Sequence, residues 1–221
     1  MPKVTPEYRA ERRAYVMAAA RRCFVRDGFH AASMQDLVAE AGMSSGAVYR
    51  YFPSKDAVIE AIAAENLEQV VAVIRQSIDD GASPPAAIAS VLQFVTSRHA
   101  EDGFAAIALL VWSEALRNPA LAGHLRDATA SAFAKLSADA HPRPDGAVGT
   151  AKSTHDDHGA LDSTTLADLL LCVLPGYLMR LALGGPQAIQ NVPDAVEKVL
   201  TVSASAPTPK QSQRNRAPTG H

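Results

Sequence analysis

Apolar residues recur at spacings of three and four along most of this chain, and strand-like alternation never lasts beyond a few residues. That period places the apolar side chains on one face of a helix turning 100° per residue, so it predicts an all-α protein. Val16, Ala19, Ala20, Cys23 and Phe24 follow the i, i+3, i+4, i+7, i+8 rule and mark a first helix. Ser33 with Asp36 three residues later is an acidic variant of the capping box, and Met34, Leu37, Val38 and Ala41 behind it give a second helix one buried face. Gly42 should end that helix, because glycine enters the left-handed region without steric penalty. Ser44 or Ser45 then caps a third, short helix whose inner side is Val48 and Phe52 and which Pro53 terminates. The first helix must pack over the other two for all three stripes to be buried.

Farther along, Ile59, Ile62, Leu67, Val70, Val71, Ile74 and Ile78 write a long fourth helix from about residue 55 to 80, linking this head to a body. Ser83-Pro84 opens the next helix, with Ile88, Val91, Leu92 and Val95 as its core side. Gly103 separates it from a segment carrying Ile107, Leu110, Val111 and Trp112 that ends near Asn118-Pro119, and Leu121, Leu125, Phe133 and Leu136 mark another helix. The cleanest stripe is Leu166, Leu169, Leu170, Val173, Leu174, Tyr177, Leu178 and Leu181, in a helix that Pro175 should kink. Residues 141–160 are rich in Pro, Gly, Asp and Thr and read as a mobile loop; residues 203–221, with Pro207, Pro209 and Pro218, read as a disordered tail or an accessory polyanion contact. The expected organisation is a three-helix head over 1–53, a helical body over 54–202 and the tail.

The stretch from Ser33 to Lys55 carries the chemistry. Opposite Val48 and Phe52 on the third helix lie Gly46 and Arg50, flanked by Ala47 and Tyr49 on one side and Tyr51 on the other. A small centre lets a helix backbone approach base edges in the major groove, an arginine bonds bidentately to guanine or to phosphate, and two phenols can donate to the backbone on either side. Lys55, at the start of the fourth helix after Ser54, suits a phosphate. Ser33, Ser44, Ser45, Gly46, Ala47, Tyr49, Arg50, Tyr51 and Lys55 form the expected DNA contact set. Helix pairs of this kind also occur inside enzymes and scaffolds, where the same residues are ordinary surface.

Phe24, Gly28-Phe29, Ser33, Gln35-Asp36-Leu37, Glu40-Ala41-Gly42-Met43-Ser44, Gly46, Val48-Tyr49, Tyr51-Phe52 and Ser54-Lys55 resemble the N-terminal signature of the tetracycline-repressor (TetR) family of bacterial transcription regulators, over roughly residues 10 to 60 without a gap. Ala32 departs from it where many members have Thr, leaving Ser33 to make that phosphate contact, and Val38 where Ala is common. The resemblance implies a DNA-binding head on an all-helical body that dimerises and usually holds a small ligand. On that footing Leu121, Leu125, Phe133, Leu166, Leu170, Val173, Leu174, Tyr177, Leu178 and Leu181 are assigned to a four-helix homodimer interface; the alternative is a stripe buried wholly in one subunit. A dimer also suits the task, since one short helix reads few bases and two heads about 34 Å apart read successive turns of a near-palindrome.

Charge agrees with the head assignment. Residues 1–55 carry nine Lys or Arg against five acids, a net +4, while the whole chain of 221 residues is −2. Cys23 and Cys172 both fall in apolar stripes and read as reduced core cysteines of a cytoplasmic protein. The charged N-terminus does not read as a signal peptide, and the run from Leu169 to Met179 is about half of the roughly 20 residues a spanning helix needs, so no membrane is expected.

The body is less specific. Phe94, His99, Phe104, Trp112, Glu114, Tyr177, Met179 and Arg180 are candidates to line a pocket for a small effector, with an apolar or aromatic molecule as the default. No cofactor is expected. One rival is a metal sensor built on His155, Asp156, Asp157 and His158 with His141 as a remote third imidazole. A weaker one is an enzyme using Ser113-Glu114 with His99 or His124, although no nucleophile elbow, phosphate loop or zinc-protease spacing appears.

Overall fold

The computed structural model describes residues 5–139 and 163–205, with side chains over 5–131 and 168–201. Among these, every regular element is helical: α1 (Pro6–Ala31), α2 (Met34–Ala41), α3 (Ser45–Tyr51), α4 (Lys55–Asp79), α5 (Pro84–Asp102), α6 (Phe104–Ala115), α7 (Pro119–Asp139), α8 (Ser163–Gly184) and α9 (Val192–Ser205), with a 3-10 turn at Pro186–Ala188. The expected all-α architecture, with its short helix pair near the N-terminus, is what is found.

Local chemistry explains the boundaries. The side chains of Thr5, Ser33, Ser44, Ser54 and Ser83 each accept a hydrogen bond from a backbone N–H three residues on, satisfying a donor that the helix itself leaves open. Gly42 closes α2 at φ 60°. Gly103 lies between α5 and α6 at φ 74°, and a Cβ there would come within 2.7 Å of Val25 Cγ2. Gly103 is therefore required twice over, by its left-handed backbone and by the close approach of this turn to α1. α1 itself breaks at Gly28, where φ is 76° and ψ 170°.

Two apolar cores run through the described residues. The first gathers Val16, Ala20, Phe24, Phe29, Leu37, Val48 and Phe52 from the head, then Val58, Ile59 and Ile62 of α4, Ile107 and Val111 of α6, and Leu121 of α7. The Phe24 and Phe29 rings meet edge to face with centroids 4.7 Å apart. The second core holds Val70, Val71 and Ile74 of α4 with α5, α6 and the inner face of α8. α4 thus has its first half in one core and its second half in the other.

Much of the α8 stripe is buried within the chain itself. Leu170, Leu174, Tyr177, Leu178 and Leu181 are buried in the second core, and Leu121 in the first. They bind the subunit to itself, so they are not free for a partner. Val173 is half-buried, Leu125 packs partly on the first core, and the side chains of Phe133 and Leu166 lie outside the described residues. The exposed arc of α8 is the adjacent one, with Leu171 at 47%, Met179 at 51% and Leu183 at 84% exposure. Cys172 lies on that arc and is exposed, contrary to the core role read from its position, whereas Cys23 is buried and burial pushes its thiol pKa up. α8 continues through Pro175 as one element. The expected loop over 141–160, with its His and Asp metal set, and most of the 203–221 tail also lie outside the described residues.

Candidate nucleic-acid interface

α2 and α3 are held at a fixed angle by their caps and their shared core. The Ser33 Oγ accepts from the Asp36 backbone N–H at 3.2 Å and donates to Asp36 Oδ2 at 2.6 Å, while the Ser33 N–H donates to the same carboxylate at 2.8 Å. This is the full reciprocal capping box. The Ser33 hydroxyl and then its backbone N–H hold the Asp36 carboxyl below its ordinary pKa. Depression of an acid in the folded state means its contribution is present above the unfolded pKa, near 3.9, and is lost as pH falls through the lower folded value. Ser33→Ala is therefore expected to lower the urea midpoint at neutral pH, with the difference from wild type shrinking as the pH is taken down through that window. A difference that stays constant with pH would exclude the carboxylate as its source.

On α3, Val48 is fully buried and Phe52, its C-cap, nearly so. That orientation leaves Ser45, Gly46, Tyr49 and Arg50 exposed and Ala47 and Tyr51 half-buried. Ser44 caps α3 by accepting from the Ala47 N–H at 3.3 Å, so its own hydroxyl proton is not used by the cap. The proton of Ser33 Oγ, in contrast, already goes to Asp36, which removes it as a donor to phosphate. Lys55 is engaged within the chain. Its Nζ donates to Phe29 O at 2.5 Å and Ala32 O at 3.2 Å, tying the start of α4 to the end of α1 and engaging two of its three N–H groups.

The arginines of the head fall into two groups. Arg21 pairs with Glu65, Arg22 with Glu40, and Arg26 with Asp27 and Glu40; the hydrogen bond from Arg22 and then that from Arg26 hold the Glu40 carboxyl below its ordinary pKa. Arg9, Arg12, Arg13 and Arg50 make no ion pair with a carboxylate among the described residues. Three of these surround α3: Arg13 lies over the Phe52 ring at 5.1 Å, and Arg12 and Arg50 line one cleft of about 320 Å³ with Tyr8, Ser44, Ala47 and Tyr51. Arg12 Nε donates to the Tyr8 hydroxyl at 3.0 Å. Tyr8, Arg12 and Arg13 were missed by the sequence reading, which counted these cations without sorting them. Sorting them requires knowing which carboxylates lie nearby, and Glu40 and Glu65 are distant in sequence from the arginines they neutralise.

The body candidates do not all converge. Phe94 and Phe104 meet edge to face at 6.0 Å, and both belong to the second core with Trp112 and Tyr177, whose hydroxyl shares a 2.7 Å hydrogen bond with Thr96 Oγ1. Phe104 and Tyr177 are buried. Glu114 lies elsewhere, facing Arg117 at 3.3 Å and His30 of the head at 3.5 Å, and Met179 and Arg180 are exposed, the latter donating to Ala188 O. His99 is half-buried with its Nδ1 unpartnered. No group of three metal-ligating side chains occurs among the described residues, and no helix among them is long and apolar enough to cross a membrane.

Residues 16–62 match the family described as bacterial regulatory proteins, tetR family. The chain is 41% identical over 73 residues to the HTH-type transcriptional repressor Rv1474c of Mycobacterium tuberculosis, covering 33% of this chain and 39% of that protein. It is 31% identical over 115 residues to the HTH-type transcriptional regulator UidR of Escherichia coli, covering 52% and 57%. The chain thus spans about half the length of these relatives. The solved structure of Salmonella enterica GusR superposes with a TM-score of 0.67 at 27% identity, over 93% of this chain and 100% of that one. With a capped helix pair that lies inside the matched segment and a fold that superposes on GusR from end to end, residues 16–62 of this chain belong to the tetR family of bacterial regulatory proteins.

Proposed function

We propose that the protein is a one-component transcriptional regulator that binds a near-palindromic DNA site as a homodimer, acts as a repressor and is released by a small-molecule effector. The observation that carries the reading is the α3 surface: Gly46 and Arg50 face outward from a helix locked by Val48, and the unneutralised cations of the head surround it. A helix of this kind reads base edges while the cations around it bind phosphates. Repression is the simpler outcome, because occluding a promoter needs no surface for polymerase, and the M. tuberculosis relative is a repressor.

Dimerisation is supported by the outer arc of α8, where Leu171, Met179 and Leu183 leave apolar surface in water. Effector binding is supported by buried polar atoms on α4 and α5 that have no partner among the described residues, Gln69 Oε1, His99 Nδ1 and Asp102 Oδ1, since such groups are costly unless something satisfies them. α4 is the natural lever, because it lies in both cores. An effector that binds better to dimers whose heads are wrongly spaced would shift the population off DNA.

The test is selection of bound fragments from a random double-stranded DNA pool by the purified protein at two salt concentrations. Enrichment of a near-palindrome supports the reading and supplies the site; retention without sequence preference would sink it. On the selected site, Arg50→Ala is expected to weaken binding by about 1–3 kcal/mol, and by much less on scrambled DNA, as fluorescence anisotropy would report. Equal losses on both would reassign Arg50 to phosphate.

A further inference from the structure

The cleft beside α3 is built from two cations and no acid. Arg12 comes from the first half of α1 and Arg50 from α3, and the other polar side chains at its wall are the hydroxyls of Tyr8, Ser44 and Tyr51. Guanidinium groups that line one cleft without a carboxylate make it a place where an anion is favoured. Every side chain named is a donor, and the arginine forks match the paired oxygens of a phosphodiester. Tyr8 restricts Arg12: its hydroxyl accepts from Nε at 3.0 Å and its ring lies under the guanidinium at 5.4 Å, leaving the outer N–H groups to the cleft. The arginines farther along α1, Arg22 and Arg26, are neutralised by Glu40 and Asp27, so the unpaired charge of this helix lies in its first half.

We propose that this cleft seats one phosphate of the DNA backbone between Arg12 and Arg50, making the first half of α1 a second DNA-contacting element beside the helix pair. Arg12 is the phosphate ligand and Tyr8 the residue that positions it. The inference rests on the DNA-binding reading above and extends its footprint by one phosphate on each half-site.

The experiment uses the full-length protein and the duplex recovered by selection. Each phosphate lost should lower the slope of log K against log salt by about 0.9, so Arg12→Gln should lower it by about 2 in a two-fold symmetric complex. Arg22→Gln, whose charge is already matched by Glu40, should leave the slope unchanged. Neutralising backbone phosphates one at a time as methylphosphonates should then reveal a position in each half-site where wild-type protein loses affinity and Arg12→Gln loses none further. Tyr8→Phe keeps the charge, and so the slope, but should blunt the loss at that same position.

An Arg12→Gln slope equal to wild type overturns the proposal, as does full sensitivity of the variant at every phosphate. Competition by inorganic phosphate at constant ionic strength that depends on Arg12, with no methylphosphonate effect, would assign the cleft to a free anion and overturn it too. Arg12 is only half-buried, so the variants are expected to keep wild-type circular dichroism; should Arg12→Gln fail to fold, Tyr8→Phe and the methylphosphonate series on wild-type protein decide alone. A wild-type protein that selects no duplex would sink the regulator reading itself, a different result from any of these.

Discussion

Glu65→Leu is expected to destabilise the fold by about 3 kcal/mol, near the lower end of what breaking a buried ion pair costs. Arg21 is only 4% exposed, yet it carries a charge, donating from Nη2 to Glu65 Oε2 at 2.6 Å and to Asn66 Oδ1 at 2.8 Å. Removing Glu65 leaves the guanidinium in the core with one neutral partner. The Glu65 side chain is 37% exposed, so water reaches that end of the pair and moderates the loss. The reciprocal change is milder. Arg21→Met removes the buried charge, returns Glu65 to water and leaves Asn66 Oδ1 unsatisfied, for roughly 1–2 kcal/mol. Urea unfolding of the two variants measures the asymmetry. Equal losses would mean that the pair is valued for its attraction alone, with no desolvated charge behind it. Because Arg21 lies on α1 and Glu65 on α4, this pair also ties the head to the helix proposed as its lever.

The second large effect separates the two faces of α8. Leu171→Asp with Met179→Asp is expected to dissociate the proposed dimer and weaken binding to the selected site by more than a hundredfold. Full burial of a Leu or Met side chain stabilises by roughly 1.5–3 kcal/mol, and about half of each is exposed in the isolated subunit. Four such side chains in a two-fold interface give roughly 3–6 kcal/mol, more than two decades in the dissociation constant. Leu178→Ala on the inner face should instead cost about 2–5 kcal/mol of folding stability through the cavity it leaves, with dimer affinity unchanged. Sedimentation at graded concentration distinguishes them. A dimer that survives the outer pair and is lost with Leu178 would return the interface to the inner stripe.

The contrast between those faces shows where reading a sequence stops. On α8 the helical wheel carries apolar residues around much of its circumference, and periodicity reports their angles relative to one another. It does not say which of two adjacent apolar arcs meets α5 and which is left over. Leu170, Leu174, Tyr177, Leu178 and Leu181 went to the subunit's own core, and Leu171, Met179 and the neighbouring Cys172 remained outside. Leu121 is a case of the same kind, sharing the first core with Ile59 and Val111 from two other helices.

Polar groups divide similarly. The cap of α2 was legible, because Ser33 and Asp36 are three residues apart and their bonds are local. So was the left-handed turn at Gly42. The fate of Lys55 was not, since its two carbonyl acceptors belong to the end of α1. Gly103 lies between these cases: the chain marks a break there, while the need for hydrogen in place of a methyl comes from Val25, 78 positions away.

By itself the sequence determined the all-helical class, the helix limits in the head and the residues α3 turns outward, because caps, glycine turns and the 3.6-residue period act over a few neighbouring positions. Only the tertiary structure decided which arginines are neutralised, which arc of α8 is spare and which half of α4 enters which core. Those outcomes depend on side chains far apart in the chain, whose proximity exists only once the helices have packed.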